Sequence, residues 1–410
     1  MSENGRSPET DGGNPEDAQT FEQIDWSRID SDDTPRPRKE YAWFGIVTVW
    51  LLGVLYDIYS QYIAETGAAE FPVLGTVSPV DWLWSITLLV IVYYGIVPLY
   101  ENPRMTRYYW KEFRKNKAAV ISGLFLLVIF AIGVIGSRVL PEPERTPGLE
   151  NQPPVWTSIE DYVTGNECPG GTTVVDDVTM CQGSWAHPLG TTSSGEDILL
   201  ASIYGMEVSM QVGLIATLLS ITIAATVGLT AAYYGGLVDE LLMRYVDIQI
   251  TFPTFFLFLL LAYTIGGSLF VLILIFGLFG WGSSARIMRA EALQRREEPY
   301  IQAAINAGAS SFWTIRRHLL PNISNSLITA ASLTIPTIIL AEAAIAFLGL
   351  GDLAVPSWGR LISGGRDQLR TAWWIATIPG VFLFFTILAF NFLGDALRDA
   401  LDPRHGGSGE

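Results

Sequence analysis

No stretch of the 410 residues has the form G-x-x-x-x-G-K-S/T, so the chain has no P-loop with which to bind ATP. Cysteine and histidine are scarce, two and three residues, and His187 is the only histidine near Cys168 and Cys181. That spacing matches no zinc pattern, and no metal site is expected. No grouping of nucleophile, base and acid stands out in the polar segments, which argues against a hydrolase or transferase. Cations are outnumbered, 25 Lys and Arg against 41 Asp and Glu, for a net charge of −16. Nucleic-acid binding is thereby disfavoured. Residues 1–40 contain no apolar run, so no secretory signal is read there; they are expected to form a disordered acidic tail in the cytoplasm.

What the chain has in abundance is apolar side chains, half of all residues, with 13 Trp, 16 Tyr and 20 Phe. At this length, that composition points to an all-α polytopic membrane protein. Crossing about 30 Å of hydrocarbon takes roughly 20 apolar residues in a helix. Eight segments meet or approach this: Trp43 to Tyr59, Trp82 to Tyr100, Ala118 to Leu140, Val208 to Tyr234, Ile248 to Ile265, Ser268 to Met288, Ile323 to Leu348 and Trp373 to Leu393. Arg104, Arg107, Lys111, Arg114, Lys115 and Lys117 mark residues 101–117 as cytoplasmic. The first segment is short and carries Asp57, yet without it the tail beside Arg36, Arg38 and Lys39 would lie outside. Alternation then places both termini in the cytoplasm and residues 141–207 outside. Residues 349–372 also fall outside, although Arg360, Arg366 and Arg370 make that loop mildly basic. The excess acid lies in the tail and between Pro141 and Asp197, which fits either a salty cytoplasm or an acidic tail alone.

Between the last long apolar runs lies a polar, basic island, Arg295 to Asn322. Pro299 suits a first helical turn, and Glu297 and Glu298 sit where the helix dipole favours negative charge. Tyr300, Ala303, Ala304 and Ala307 then recur at i, i+3, i+4 and i+7, a narrow face of mostly very small side chains that permits close approach. Gly308 supplies the backbone that ends such a helix, Ser310 or Ser311 can cap the next, and Pro321 stops it. Two short helices joined by a tight turn are expected. The positive-inside rule explains Arg295, Arg296, Arg316 and Arg317, but not the small-residue face or its spacing to Leu320 and Pro321.

This stretch resembles the EAA motif of the coupling loop in ABC-importer permeases, read as Glu-Ala-Ala, three residues, Gly, then nine residues to Ile-x-Leu-Pro. Ala303, Ala304, Gly308, Leu320 and Pro321 match; Gln302 stands at the Glu position and His318 at the Ile position. Further stretches resemble the dipeptide/oligopeptide/nickel permease subunits: Tyr108 to Val120, an aromatic and basic entry segment; His187 to Asp197; Tyr233-Tyr234-Gly235-Gly236 through Phe252-Pro253; Ala341 to Gly351 with Pro356-Ser357-Trp358-Gly359; and Asn391 to Asp395 with Leu401 to Arg404. The resemblance covers about residues 103–405.

It implies a type I ABC-importer permease core of six helices, with two extra N-terminal transmembrane helices in residues 41–102. The interfacial segment and first core helix would occupy 103–140, an extracytoplasmic loop 141–207, and the permease core 208–405, with the coupling loop at 289–322. The implied partners are a second homologous permease, two ATPase subunits that use ATP and Mg, an extracytoplasmic solute-binding protein and membrane lipid. The implied cargo is a peptide or similar small solute. Tyr300, Gln302, Ala303, Ala304, Ala307, Gly308, Leu320 and Pro321 would form the ATPase docking site, and no catalysis is expected in the chain itself.

Three readings stay open on sequence alone. Glu342, inside an apolar run, must face the bundle, a partner or water, because a lipid-facing carboxylate costs roughly 2.5 to 3.5 kcal/mol. It is either a translocation-pathway residue meeting a substrate amino group or a structural hydrogen-bond hub. Cys168 and Cys181 are either a disulfide in an oxidising compartment or two free thiols. The capping patterns at Ser193, Ser194, Glu196 and Asp197 predict a short helix starting near Glu196, with or without a ligand role. A self-sufficient carrier would need ionisable relays, for which only Asp57 and Glu342 are candidates; a non-transporting scaffold is the other alternative.

Overall fold

The structure, a computed structural model, describes residues 38–62, 70–71 and 75–401. Residues 1–37 of the expected acidic tail, and Asp402 to Arg404 of the terminal stretch, lie outside the described residues. The chain divides into two units, Met1–Ala69 and Glu70–Glu410. The described part of the first is a single helix, Arg38–Tyr62, in which Tyr41–Gln61 is long and apolar enough to cross a membrane.

The second unit holds six more helical spans of that kind: Pro79–Glu101, Lys117–Val139, Ile198–Tyr234, Leu269–Arg296 (interrupted at Gly280-Trp281), Ser324–Phe347 and Trp374–Ala400. Pro79–Glu101 opens with a reciprocal Ser78–Asp81 capping box and widens to a π-helical turn at Ile91–Ile96. Pro98 follows that turn and supplies no N–H, so the bonding pattern ahead of it loosens. Trp84 anchors this helix against Phe130, with ring centroids 6.0 Å apart.

Ile198–Tyr234 is the axis of the unit. Its 37 residues extend about 55 Å at 1.5 Å per residue, and it packs against Lys117–Val139, Leu269–Arg296 and Ser324–Phe347. Buried residues lie all around it, including Ile203, Met210, Ile215, Ile221 and Ala232. A helix apolar on every face is buried on every face only when neighbours surround it. Lys117–Val139 has the same apolar character, yet Ile121, Leu124, Leu127 and Ile135 stay exposed where lipid would lie. Gly228 permits one of the tightest crossings, since a Cβ there would lie 2.7 Å from the Ala285 carbonyl oxygen.

Two expectations need correction, and a third segment, Ile248 to Ile265, is bent: it belongs to a pair, Gly236–Thr251 and Thr254–Ile265, that turns by 78°. Pro253 cannot donate a backbone bond and holds Phe252 extended, at φ −75° and ψ 136°, so the helix breaks there. The helix expected near Glu196 is not short; capped by Asp197, whose carboxylate accepts from the Leu200 N–H, it continues without interruption to Tyr234. The segment Ser268 to Met288 continues to Arg296, so the expected loop over 289–322 begins with two more turns of helix.

At the end of the bundle where Ile198–Tyr234 starts, residues 141–197 fold over the helix ends. Three short strands, Ser158–Glu160, Thr172–Val175 and Val178–Gln182, form an antiparallel sheet with the last one central. Cys168 and Cys181 are joined by a disulfide. A small core of Ile159, Cys181, Ile198, Trp374 and Ile375 fastens this domain to the helices, and Trp374 Nε1 donates to the Thr191 carbonyl at 3.2 Å.

Candidate functional site

The basic island emerges at the other end of the bundle. Leu269–Arg296 terminates at Glu297, Glu298 takes extended geometry, and Pro299 opens the helix Pro299–Asn306. Gly308 then adopts φ +87°. Its N–H bonds the Ile305 carbonyl at 2.9 Å, and the Ala309 N–H bonds that of Ala304 at 3.1 Å. This pair of bonds is a Schellman closure, and it needs a left-handed residue at position 308. Ser310 caps the following turn through the Trp313 N–H at 3.3 Å. Ser311–Thr314 leads into a π-helical stretch, Ile315–Leu319, just ahead of Pro321.

Which faces of Pro299–Asn306 are covered decides what the helix can do. Ile301 is fully buried with Leu319, Ile323, Met288 and Ala292, at the ends of the long helices. Tyr300, Ala303, Ala307 and Gly308 are exposed, and Ala304 is half-buried. Ala307 is the capping residue just beyond the last helical turn. The small-residue face therefore points outward while the helix is held from its flank. Leu320 is half-buried and Pro321 exposed, at the far end of the second helical turn.

Gln302 does not share the small-residue face. It lies about 160° around the helix from Ala304, and its Nε2 reaches back to the Arg296 carbonyl at 3.3 Å. His318 packs its ring against Trp313, centroids 4.8 Å apart, and lies 6.1 Å from that of Tyr300, tying the two short helices together. Sequence reasoning missed the anchors. Ile301 carried one signal, a bulky apolar side chain beside a face of alanines. The pairs Arg289–Asp239 and Arg286–Asp247, which lock Gly236–Thr251 to Leu269–Arg296, join residues about 40 to 50 positions apart and carried none.

Glu342 lies about a turn and a half inside the other end of Ser324–Phe347 and is only 2% exposed. The Ser357 side chain lies beside it, and Glu342 Oε2 meets no hydrogen-bond partner among the described residues. Ser357 in turn caps Trp358–Gly365 through the Arg360 N–H, and Trp358 Nε1 donates to the Ser202 carbonyl at 3.1 Å. The carboxylate thus sits beneath a short helix that closes the disulfide end of the bundle. Arg360 and Arg145 both reach Glu196, at 2.9 and 3.2 Å, so the same helix is also tied to the sheet-bearing domain.

Two sequence families match this architecture. Residues 198–406 match the binding-protein-dependent transport system inner membrane component, and residues 105–154 match the N-terminal transmembrane domain of oligopeptide transport permease C. The chain belongs to the binding-protein-dependent transport permeases. It is 37% identical over 219 residues to the oligopeptide transport system permease protein OppC of Haemophilus influenzae, covering 53% of this chain and 70% of that one. With OppC of Escherichia coli it shares 36% over 295 residues, 72% of this chain and 89% of the relative. A chain from a structure of the MetNI methionine ABC transporter in inward-facing conformations superposes with a TM-score of 0.42 at 19% identity, over 50% of this chain and 98% of that one. Membership makes this permease a multi-pass membrane protein, and the family implies ATPase and binding-protein partners in general. The helix Pro299–Asn306 lies inside the matched region, whereas Pro79–Glu101 precedes both matches.

Proposed function

We propose that this chain is a transmembrane permease subunit of an ATP-driven importer for peptides or similar small solutes. The relatives named above are oligopeptide transport permeases, which supports that cargo class. In this reading the chain pairs with a second homologous permease, two ATPase subunits and an extracytoplasmic solute-binding protein. It binds no cofactor and catalyses nothing; ATP and Mg are used by the ATPases. Both termini face the cytoplasm, and the disulfide-bearing domain faces outward.

The observation that carries the mechanism is the outward-facing small-residue surface of Pro299–Asn306, a helix held from its flank by Ile301. A groove on an ATPase can receive such a face closely because its side chains end at Cβ, Tyr300 apart. Ile301, Leu319 and Met288 share one core with Leu229 and Ala232, so displacement of the short helix moves the ends of Leu269–Arg296 and Ile198–Tyr234 together. Closely packed interiors transmit such strain instead of absorbing it.

At the opposite end, shifting Trp358–Gly365 would uncover Glu342 and offer its unpartnered oxygen to a substrate amino group. Purification of the tagged chain from its own membranes at native salt, followed by mass spectrometry, tests the assembly. Co-elution of ATPases and a second permease supports the reading. A chain that emerges alone, under conditions that keep a control transporter intact, overturns it.

A further inference from the structure

The amphipathic helix Pro103–Phe113 lies immediately ahead of the span Lys117–Val139, which Asn116 caps through the Ala119 N–H. On its wheel Arg104, Arg107, Lys111 and Arg114 fall within a sector of about 80°, while Thr106, Tyr109 and Phe113 form the less exposed side. Arg107, Trp110, Lys111, Arg114 and Lys115 line an open groove of about 390 Å³. Lys115 is paired with Glu112 at 2.7 Å. Arg107, Lys111 and Arg114 have no acidic partner among the described residues. The Trp110 ring stacks on Phe113, centroids 5.9 Å apart, yet is 54% exposed at the groove's edge.

We propose that this groove is a binding site for the phosphate-bearing headgroup of an anionic membrane lipid. Three features select a lipid over a protein partner. The groove ends within one turn of the residue where the chain enters its span, which is headgroup depth. Trp110 and Tyr108 expose amphipathic rings of the kind found at that depth. Two guanidiniums and an ammonium without carboxylate partners match the charge and forked acceptor geometry of a phosphate. Basic pockets beside spanning helices bind anionic headgroups on the same grounds. Topology alone would account for cations in this segment, but not for their convergence with an indole on one groove. The site is independent of the cargo and of the ATPase contact, so it stands or falls separately from the proposed transport function.

The experiment is native mass spectrometry of the full-length chain, with whatever subunits co-purify, released from nanodiscs of phosphatidylcholine and phosphatidylglycerol in equal parts. The expected result is preferential retention of phosphatidylglycerol, falling by about fivefold for each cation removed in Arg107→Gln, Lys111→Gln and Arg114→Gln. Arg244→Gln, which removes an exposed cation outside the groove, should leave retention unchanged. Equal retention of both lipids, or undiminished retention in the triple variant, overturns the proposal. So does release of the lipid by millimolar inorganic phosphate, which would mark a site for a free anion. Circular dichroism of the triple variant guards against reading misfolding as lost binding, and the Arg107→Lys, Arg114→Lys variant should recover part of the preference.

Discussion

Arg296 Nη1 donates to the carbonyl oxygen of Ala232 at 3.0 Å, so the last residue of one long helix caps the last turn of another. Ala232 is among the final carbonyls of Ile198–Tyr234, which have no partner within their own helix, and a cation there also suits the dipole. Arg296 is thus the point where the loop bearing the docking helix grips the central axis. Replacing Arg296 with Ala should cost about 1.5 kcal/mol locally, the worth of a hydrogen bond from a charged donor. Hydrogen exchange should quicken over residues 229–236 by roughly tenfold and stay unchanged in the disulfide-bridged domain.

At position 308 the requirement is backbone conformation, because a Cβ built there meets nothing within 4 Å. Gly308→Val should weaken the turn by about 1 to 2 kcal/mol through its left-handed φ, whereas Gly308→Asn should be milder. Uptake into vesicles holding the assembled importer should therefore rank wild type, Asn, Val. Equal loss in both variants would place the sensitivity in the contact with the ATPase instead.

Ile301→Ala empties a fully buried site beneath the docking helix and should destabilise that corner by about 2 to 5 kcal/mol. Tyr300, 41% exposed, should tolerate Ala with far less loss of thermal stability. Recovery of the ATPases on an affinity column separates the two roles. Tyr300→Ala is expected to weaken the contact while leaving the fold intact, and Ile301→Ala to lower both.

The Arg289–Asp239 fork links Leu269–Arg296 to the helix beyond the Gly235-Gly236 break. A double-mutant cycle with Arg289→Gln and Asp239→Asn, read by thermal unfolding in detergent, should give a coupling of about 1 kcal/mol. Both groups are partly open to solvent, so raising the salt concentration should shrink that coupling.

The disulfide between Cys168 and Cys181 spans 13 positions and holds the strand Val178–Gln182 beside the turn at Gly170 and Gly171. Closing a loop of that size is worth roughly 3 kcal/mol in the chain-entropy view. The Cys168→Ser, Cys181→Ser variant should lose resistance to limited proteolysis between residues 158 and 182, with the helical bundle still intact on gels.

Sequence by itself determined the class and the order of elements, because both rest on local physics. Uninterrupted apolar runs have few fates besides spanning a bilayer, and the Pro299, Gly308 and Ser310 signals each act within four residues of themselves. The turn geometry at Gly308 could therefore be read in advance, as could the face of Tyr300, Ala303, Ala304 and Ala307. Tertiary structure alone decided which of these faces is free. Burial of Ile301, the diversion of Gln302 to the Arg296 carbonyl, the Arg296–Ala232 cap and the enclosure of Glu342 under Ser357 depend on neighbours far along the chain. The 78° turn at Pro253 shows the same division: proline announces a break, but its angle follows from what the two halves pack against. A periodic pattern states which side chains share a side of a helix, and only the packed bundle states what that side meets.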